Sequence, residues 1–168
     1  MKNKILSLIT LVLIFILTSC DGPTGTVGDR TIKVTDMVDR RVYVDLNNND
    51  SIVCIGPGAL RLYTYVGEVA KLVGAEDIDR SLDNNPYEGI PRPYYDLHKS
   101  YLSSLPSVGA GGDSQSVDVD KLKLTNPTLI ISSYEDKEQA TALQDAVGVP
   151  VIVISYGSGQ VFDLSIQE

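Results

Sequence analysis

Cysteine, histidine and basic residues are all scarce in this sequence. Its 168 residues include two cysteines, Cys20 and Cys54, a single histidine, His98, and no tryptophan. Lysine and arginine together number 14 against 22 aspartates and glutamates, which leaves a formal charge of −8 at pH 7. Nucleic-acid binding needs a basic surface that neutralises phosphates. The acidic balance therefore argues against nucleic acid as a partner.

Catalytic motifs are also missing from the sequence. It contains no GxSxG, HExxH or Walker pattern, each of which marks a known catalytic or phosphate-binding arrangement. No cysteine or serine motif lies near His98. Asp77, Asp79 and Asp83 lack the glycine and the distal glutamate that complete a calcium loop. We therefore expect a protein that is not an enzyme, with no catalytic residue, no metal ligands and no resident cofactor.

The one long apolar run lies at the start of the chain. It extends from Ile5 to Leu17, is interrupted only by Ser7 and Thr10, and follows two lysines. A membrane-spanning helix needs about 20 apolar residues, so the run is more typical of the apolar part of a secretory signal. It ends in the sequence LTSC, at residues 17–20, which resembles the lipobox of bacterial lipoproteins.

The lipobox resemblance implies that residues 1–19 are a lipoprotein signal peptide and that Cys20 carries lipid. The mature protein would then be anchored outside the cytoplasmic membrane, on the cell surface or in the periplasm. The alternative is an ordinary export signal whose cysteine is incidental. Residues 20–30 are rich in glycine, threonine and aspartate and are expected to form a flexible tether. If Cys20 is lipidated, Cys54 has no disulfide partner, and its apolar surroundings favour a small buried side chain.

The remaining sequence alternates short apolar strands with helices. The stretch TIKVTDMVDRRVYVD alternates apolar and polar residues and predicts a β-hairpin. Four apolar runs, SIVCIG, KLVGAE, TLIIS and PVIVIS, predict buried strands, while GPGALRLYTYVG, VDVDKLKL and KEQATALQDAVG predict helices. Residues 77–107 are predicted to be irregular apart from a short helix at 97–102. The pattern predicts an α/β fold, with a Rossmann-like, mainly parallel sheet and flanking helices after the hairpin.

These segments together resemble a known family of binding proteins. In chain order, the hairpin, IVCIGPGALRLYTYVG, KLVGAEDID, PSVGAGG, VDVDKLKLTNPTLIISS and AVGVPVIVIS are similar to the amino-terminal lobe of ABC-importer substrate-binding proteins for iron–siderophore, haem and cobalamin complexes. The resemblance implies that residues 31–159 are one lobe of a normally two-lobed protein. Residues 160–168 would begin the helix that bridges the two lobes, so that the chain is truncated to a single lobe.

The resemblance also implies a function and its partners. The chain would capture a metal chelate, an iron complex such as a siderophore or haem-like molecule, and deliver it to an ABC permease in the cytoplasmic membrane. Asp120 matches the acidic residue that docks on the permease, although a carboxylate there also suits a helix N-terminus. The alternative is a surface lipoprotein without a transport role, or a non-functional fragment of such a binding protein.

The ligand-facing positions follow from the same resemblance. Ligands of such sheets bind beside the carboxyl ends of the strands. The implied ligand-binding residues therefore lie in the loops after the strands: Pro57, Gly58, Ala59 and Arg61 after the first, Gly111 and Gly112 in the glycine-rich loop, and Ser133, Tyr134 and Tyr156 after the third and fourth. Arg92 and Tyr94 are added as side chains suited to an anionic, aromatic ligand such as a catecholate complex.

Overall fold

The computed structural model describes residues 30–80, 89–112 and 117–155. Apart from Arg30, all of these belong to one compact unit, Thr31–Glu168. The predicted signal peptide, Cys20 and nearly all of the tether lie outside the described residues, as do Tyr156 and residues 160–168. Within the described ranges, no helix combines the length and the apolar character needed to cross a membrane.

The unit begins with the predicted hairpin. Strand β1, Thr31–Thr35, pairs antiparallel with β2, Arg41–Asp45. Along β2 the buried residues Val42 and Val44 alternate with exposed neighbours, as expected for a strand with one face against a core. This alternation is the pattern from which the hairpin was predicted, and the prediction is confirmed.

The main sheet has four parallel strands in the order β4-β3-β5-β6. Their bounds are Ile52–Ile55 for β3, Leu72–Gly74 for β4, Leu129–Ser132 for β5 and Val151–Val153 for β6. All four residues of the central strand β3 are buried. A strand covered on both faces is apolar throughout, which is why SIVCIG shows no alternation. The predicted α/β class with a parallel sheet and a preceding hairpin is confirmed.

Within the described residues, four helices flank the sheet: α1 at Ala59–Val66, α2 at Pro93–Ser104, α3 at Val119–Leu124 and α4 at Lys137–Val147. Short 3₁₀ turns occupy Val69–Lys71 and Asp77–Asp79. The Asp118 carboxylate accepts a hydrogen bond from the Lys121 amide and begins α3, and Asp136 begins α4 in the same manner. Gly148 ends α4 with φ of 80°, a left-handed conformation that suits glycine.

Helix α2 corrects the sequence prediction. A short helix at 97–102 was expected within an otherwise irregular stretch, but the helix covers 12 residues, and a 3₁₀ turn precedes it. Pro93 occupies the first position, where its missing N–H costs nothing. Only Tyr95 and Leu102 of the helix are buried. The apolar periodicity that reveals a helix in a sequence is therefore weak here.

The core lies on both faces of the sheet. Ile52 and Cys54 of β3 point to the face covered by the hairpin, α1 and α2, while Val53 and Ile55 point to the face covered by α3 and α4. Cys54 is 2% exposed, and burial together with nearby carboxylates raises the pKa of its thiol far above the ordinary value. The prediction that Cys54 is a small buried apolar residue is confirmed.

Both edges of the sheet are covered by other parts of the chain. At the β6 edge, the turn of the hairpin supplies the Met37 amide, which donates to the Val153 carbonyl at 3.0 Å. At the β4 edge, the segment after α2 supplies carbonyls to the amides of Ala75 and Asp77, at 3.1 and 2.9 Å. Covered edges do not pair with other chains. The second contact also brings the glycine-rich segment to the carboxyl end of β4.

Candidate functional site

The carboxyl ends of three strands meet around one buried carboxylate. Glu76 lies just beyond the end of β4, after Ala75, and is 3% exposed. Both of its carboxylate oxygens lie 3.0 Å from the backbone N of Gly56, which follows β3. The hydroxyl of Tyr134, in the turn after β5, donates to the Gly112 carbonyl at 3.0 Å and shares that hydrogen with Glu76 Oε1 at 3.4 Å. We name the turns after β3, β4 and β5, together with the Gly111–Gly112 loop, the ligand edge, because ligands of open α/β sheets bind at this end of the strands.

Two glycines allow the turns of the ligand edge to come this close. Gly111 has φ of +79°, and a Cβ placed on it would lie 2.7 Å from Glu76 Cβ and 2.8 Å from Glu76 Oε2. Gly56 has φ of +88°, and its added Cβ would lie 2.6 Å from Ser133 Oγ. Both the backbone conformation and the lack of space require glycine at these positions.

The pKa of the Glu76 carboxyl lies near neutral pH. Burial raises the pKa of the carboxyl from 4.5 to about 7, and the charges of Asp79 and Asp77 add to this effect. The hydrogen bonds from the Gly56 amide and the Tyr134 hydroxyl oppose the increase because they stabilise the ionised form. Glu76 therefore changes its charge near neutral pH.

A second carboxylate, Asp79, lies in the 3₁₀ turn after Glu76 and is 8% exposed. It accepts a hydrogen bond from the Tyr94 hydroxyl at 2.8 Å, and Arg92 Nη1 lies 3.4 Å from the same oxygen. Burial raises the pKa of Asp79, and the contacts with Tyr94 and Arg92 oppose that increase. The Arg92 guanidinium also stacks on the Tyr95 ring at 4.3 Å and donates to the Ile78 carbonyl.

Arg92 and Tyr94 were predicted to contact an anionic ligand, and the structure does bring them together. Their polar atoms, however, contact Asp79. Neither Glu76 nor Asp79 was predicted as a site residue. The available signal was the position of both carboxylates in AEDIDR, at the end of the predicted strand KLVGAE and just beyond it, where ligands of such sheets are expected to bind.

The other predicted residues fall in several environments. The Ser133 hydroxyl donates to the Pro57 carbonyl at 2.8 Å, so the turns after β3 and β5 are joined. Gly58, with φ of 74°, precedes α1, and Arg61 is exposed in the first turn of that helix. Ala59 is fully buried in the core, so its side chain does not line the ligand edge. Tyr156 lies outside the described residues.

An open apolar cleft adjoins the ligand edge on the α4 side. Its volume is about 330 Å³, and its walls include Ile55, Ser132, Tyr134, Ala140 and Leu143. Pockets of small-molecule sites are mostly apolar and begin at about 300 Å³. Tyr134 therefore separates a polar network on one side from an apolar cleft on the other. In the described part of the chain, no three His, Cys, Asp or Glu side chains gather as a metal site.

Comparisons with known proteins identify the class of fold. No protein-family model matches the chain, and no curated protein matches its sequence. Solved structures do match it. The molybdate periplasmic binding protein MolA of a Haemophilus influenzae ABC transporter matches with a TM-score of 0.56 and 22% identity, over 77% of this chain and 36% of that one. The heme binding protein HmuT matches with a TM-score of 0.52 and 18% identity, over 74% of this chain and 34% of that one.

A third match is the periplasmic catecholate-siderophore binding protein VctP from Vibrio cholerae. Its TM-score is 0.50 with 20% identity, over 73% of this chain and 37% of that one. The matched region of our chain thus spans about a third of the length of these solved proteins. The structures that the chain resembles are periplasmic solute-binding proteins, and the chain has the fold of part of such a protein. The resemblance predicted from the sequence is confirmed at the level of the fold.

Proposed function

We propose that this chain belongs to the substrate-binding component of an ABC importer. It would capture a metal-containing small molecule, an iron complex of the siderophore or haem type, and present it to a permease in the cytoplasmic membrane. One observation carries the proposal: in a fold shared with solute-binding proteins, the turns after β3, β4 and β5 are joined at the strand ends by Glu76, Tyr134 and Ser133. In open α/β sheets, ligands bind at this end of the strands.

The geometry of the ligand edge favours binding over catalysis. Glu76 and Tyr134 are 3% and 8% exposed and contact each other and the backbone. A general acid or base must reach the proton it transfers, and a nucleophile needs an adjacent base. Buried groups that contact one another instead hold a shaped surface in place. The non-enzymatic function expected from the sequence is therefore part of the proposal.

The iron-complex assignment draws on two of the three solved proteins compared above. HmuT is described as a heme binding protein and VctP as a catecholate-siderophore binding protein, whereas MolA binds molybdate. Haem and catecholate complexes carry flat aromatic groups that stack on tyrosine and arginine side chains. Tyr94, Tyr134 and Arg92 lie at or beside the ligand edge. A bare oxyanion such as molybdate has no aromatic surface that could stack on these side chains.

The proposal also includes the export and anchoring of the chain. Residues 1–19 would be removed as a signal peptide, Cys20 would carry the lipid, and residues 20–30 would tether the lobe formed by residues 31–159 outside the cytoplasmic membrane. Residues 160–168 would begin the bridging helix. Metabolic labelling with a radioactive fatty acid tests the anchor: label should enter the wild-type chain and be lost in Cys20→Ser. Label that persists in Cys20→Ser would contradict the anchor.

The binding function is tested by calorimetric titration of the full chain with haemin, a ferric catecholate siderophore, cobalamin and molybdate. We expect an iron complex to bind and Tyr134→Phe to weaken it about fivefold, because the variant loses the hydrogen bonds that fix the turn after β5. Tyr43→Phe is the matched control, since Tyr43 is 61% exposed on the hairpin. Binding of molybdate alone would contradict the iron assignment, and binding of none of the four would contradict the transport function.

A further inference from the structure

Glu76 makes a different kind of contact with each segment of the ligand edge. The Gly56 amide donates to both carboxylate oxygens, and the Tyr134 hydroxyl donates to one of them. Gly111 packs on the side chain so closely that a methyl group would not fit between them. Since Glu76 itself follows β4, this one side chain determines the spacing of four segments that are far apart in the sequence.

The contacts at Glu76 suit the ionised carboxylate. An ionised carboxylate only accepts hydrogen bonds, and the Gly56 and Tyr134 groups both donate. When the group is protonated, only the oxygen without the proton remains a full acceptor for the Gly56 amide, which now lies at the same distance from both oxygens. The new hydroxyl then donates to the Tyr134 oxygen, whose own hydrogen goes to the Gly112 carbonyl, so the contacts of Glu76 with both turns change. A change in the charge of Glu76 is therefore converted into a change in the spacing of the turns.

The groups that act on the charge of Glu76 come from each neighbouring element. Asp77 and Asp79 lie on the 3₁₀ turn that follows Glu76, the Gly56 amide follows β3, and Tyr134 lies on the turn after β5. Asp79 is held by Arg92 and Tyr94. Burial is the largest cause of the raised pKa of Glu76, so protonation responds to the packing of the whole edge.

We propose that Glu76 is a positioning residue whose ionisation sets the spacing of the turns after β3 and β5 and of the Gly111–Gly112 loop, and that this makes ligand binding at the ligand edge dependent on pH. The inference rests on the proposed function, because it assigns regulation to the same edge. Binding would be tighter above neutral pH, where the carboxylate holds the turns as the structure has them. It would weaken as the pH falls and the carboxyl takes up a proton.

The positional part is tested by following backbone amide chemical shifts of the full chain between pH 5.5 and 8.5. In the wild type, the amides of Gly56, Gly112 and Tyr134 should titrate with one shared midpoint near 7. Glu76→Gln should abolish that transition. Glu68→Gln should leave it unchanged, because Glu68 is an exposed carboxylate on another turn. Separate midpoints, or a transition that persists in Glu76→Gln, would overturn the proposal.

A second variant keeps the test decisive if Glu76→Gln does not fold. Tyr134→Phe retains the carboxylate but removes the hydroxyl that connects it to the turn after β5. Gly56 should then still titrate near pH 7, while the amide at position 134 should lose its transition. If the amide at position 134 titrates as in the wild type, the hydroxyl does not transmit the change and the proposal is wrong.

The binding part is tested by calorimetry with haemin and the ferric catecholate siderophore at pH 6 and pH 8. We expect affinity about fivefold lower at pH 6 in the wild type, as for loss of one hydrogen bond that fixes the edge, and equal affinities at the two pH values in Glu76→Gln. Equal affinities in the wild type would overturn the pH dependence. Failure of both probes to bind at either pH would contradict the proposed function, while the amide titration would still decide the role of Glu76 in positioning.

Discussion

A buried ion pair between Asp36 and Arg40 connects the hairpin to the main sheet. The two residues are 6% and 7% exposed, with Arg40 Nη1 lying 3.7 Å from Asp36 Oδ2. Asp36 also accepts the amides of Arg40 at 2.8 Å and of Val153 at 3.3 Å, and Arg40 Nη2 donates to Gln144 Oε1 at 2.9 Å. The pair thus connects the turn of the hairpin to β6 and to α4.

Removal of the cation is expected to destabilise the protein strongly. In Arg40→Met, the Asp36 carboxylate stays buried without a compensating charge. Loss of one partner of a buried pair costs about 3–5 kcal/mol, a large part of the 5–15 kcal/mol that stabilises a typical domain. The double variant Asp36→Asn/Arg40→Met removes both charges and should recover part of the loss, because an asparagine oxygen still accepts the backbone amides.

Urea unfolding of the full chain, followed by circular dichroism, measures these changes as shifts in the free energy of unfolding. Lys71→Met is the control: Lys71 pairs with Asp50 at 3.1 Å, but Asp50 is 79% exposed, and surface pairs contribute little. The reasoning is refuted if Arg40→Met costs less than about 1 kcal/mol. It is also refuted if the loss in Asp36→Asn/Arg40→Met equals the sum of the losses in Arg40→Met and in Asp36→Asn alone, because residues in one network should couple.

Three other predictions concern the ligand edge and the proposed permease partner. The pKa of Glu76 is about 7 in the folded protein and 4.5 ordinarily. Between these two pH values, the folded state therefore holds a proton that the unfolded state has lost. Stability should therefore fall by about 3 kcal/mol as the pH rises through that window, and urea midpoints of Glu76→Gln at pH 5 and 8 should lack this fall. Gly111→Ala should lower the free energy of unfolding by about 1–3 kcal/mol more than Gly89→Ala. Both glycines have φ of +79°, but of the two only Gly111 lacks space for a Cβ, so equal losses would contradict the packing argument. Asp120→Asn, on the exposed first turn of α3, should weaken co-purification with the permease while Asp145→Asn on α4 does not, and no difference would argue against docking.

The sheet and its hairpin could be predicted because their pattern is local. Four continuous apolar runs predicted the buried strands, and the alternation of Val42 and Val44 with polar residues predicted the hairpin. Helices α3 and α4 carry their own start signals in Asp118 and Asp136. Helix α2 was predicted too short because its buried residues, Tyr95 and Leu102, lie seven positions apart without apolar partners buried between them.

The network at the ligand edge could be predicted only in part. The position of Glu76 after a strand places it at the correct end of the sheet, but its burial depends on Gly111 and Tyr134, which lie 35 and 58 positions away in the sequence. The same holds for Asp36, whose contact with Val153 spans 117 positions. A polar residue in a turn is normally exposed, and no local pattern distinguishes the buried exceptions.

The central claim is that an iron complex binds at the carboxyl ends of the parallel strands. Hydrogen–deuterium exchange of the full chain, with and without haemin or the ferric catecholate siderophore, tests this claim most directly. We predict slower exchange in peptides that contain Gly56–Gly58, Gly111–Gly112 and Ser133, and no change at the opposite end of the strands, around Ser51 and Thr128. Protection centred on Ser51 and Thr128, or no protection by either complex, would contradict the account.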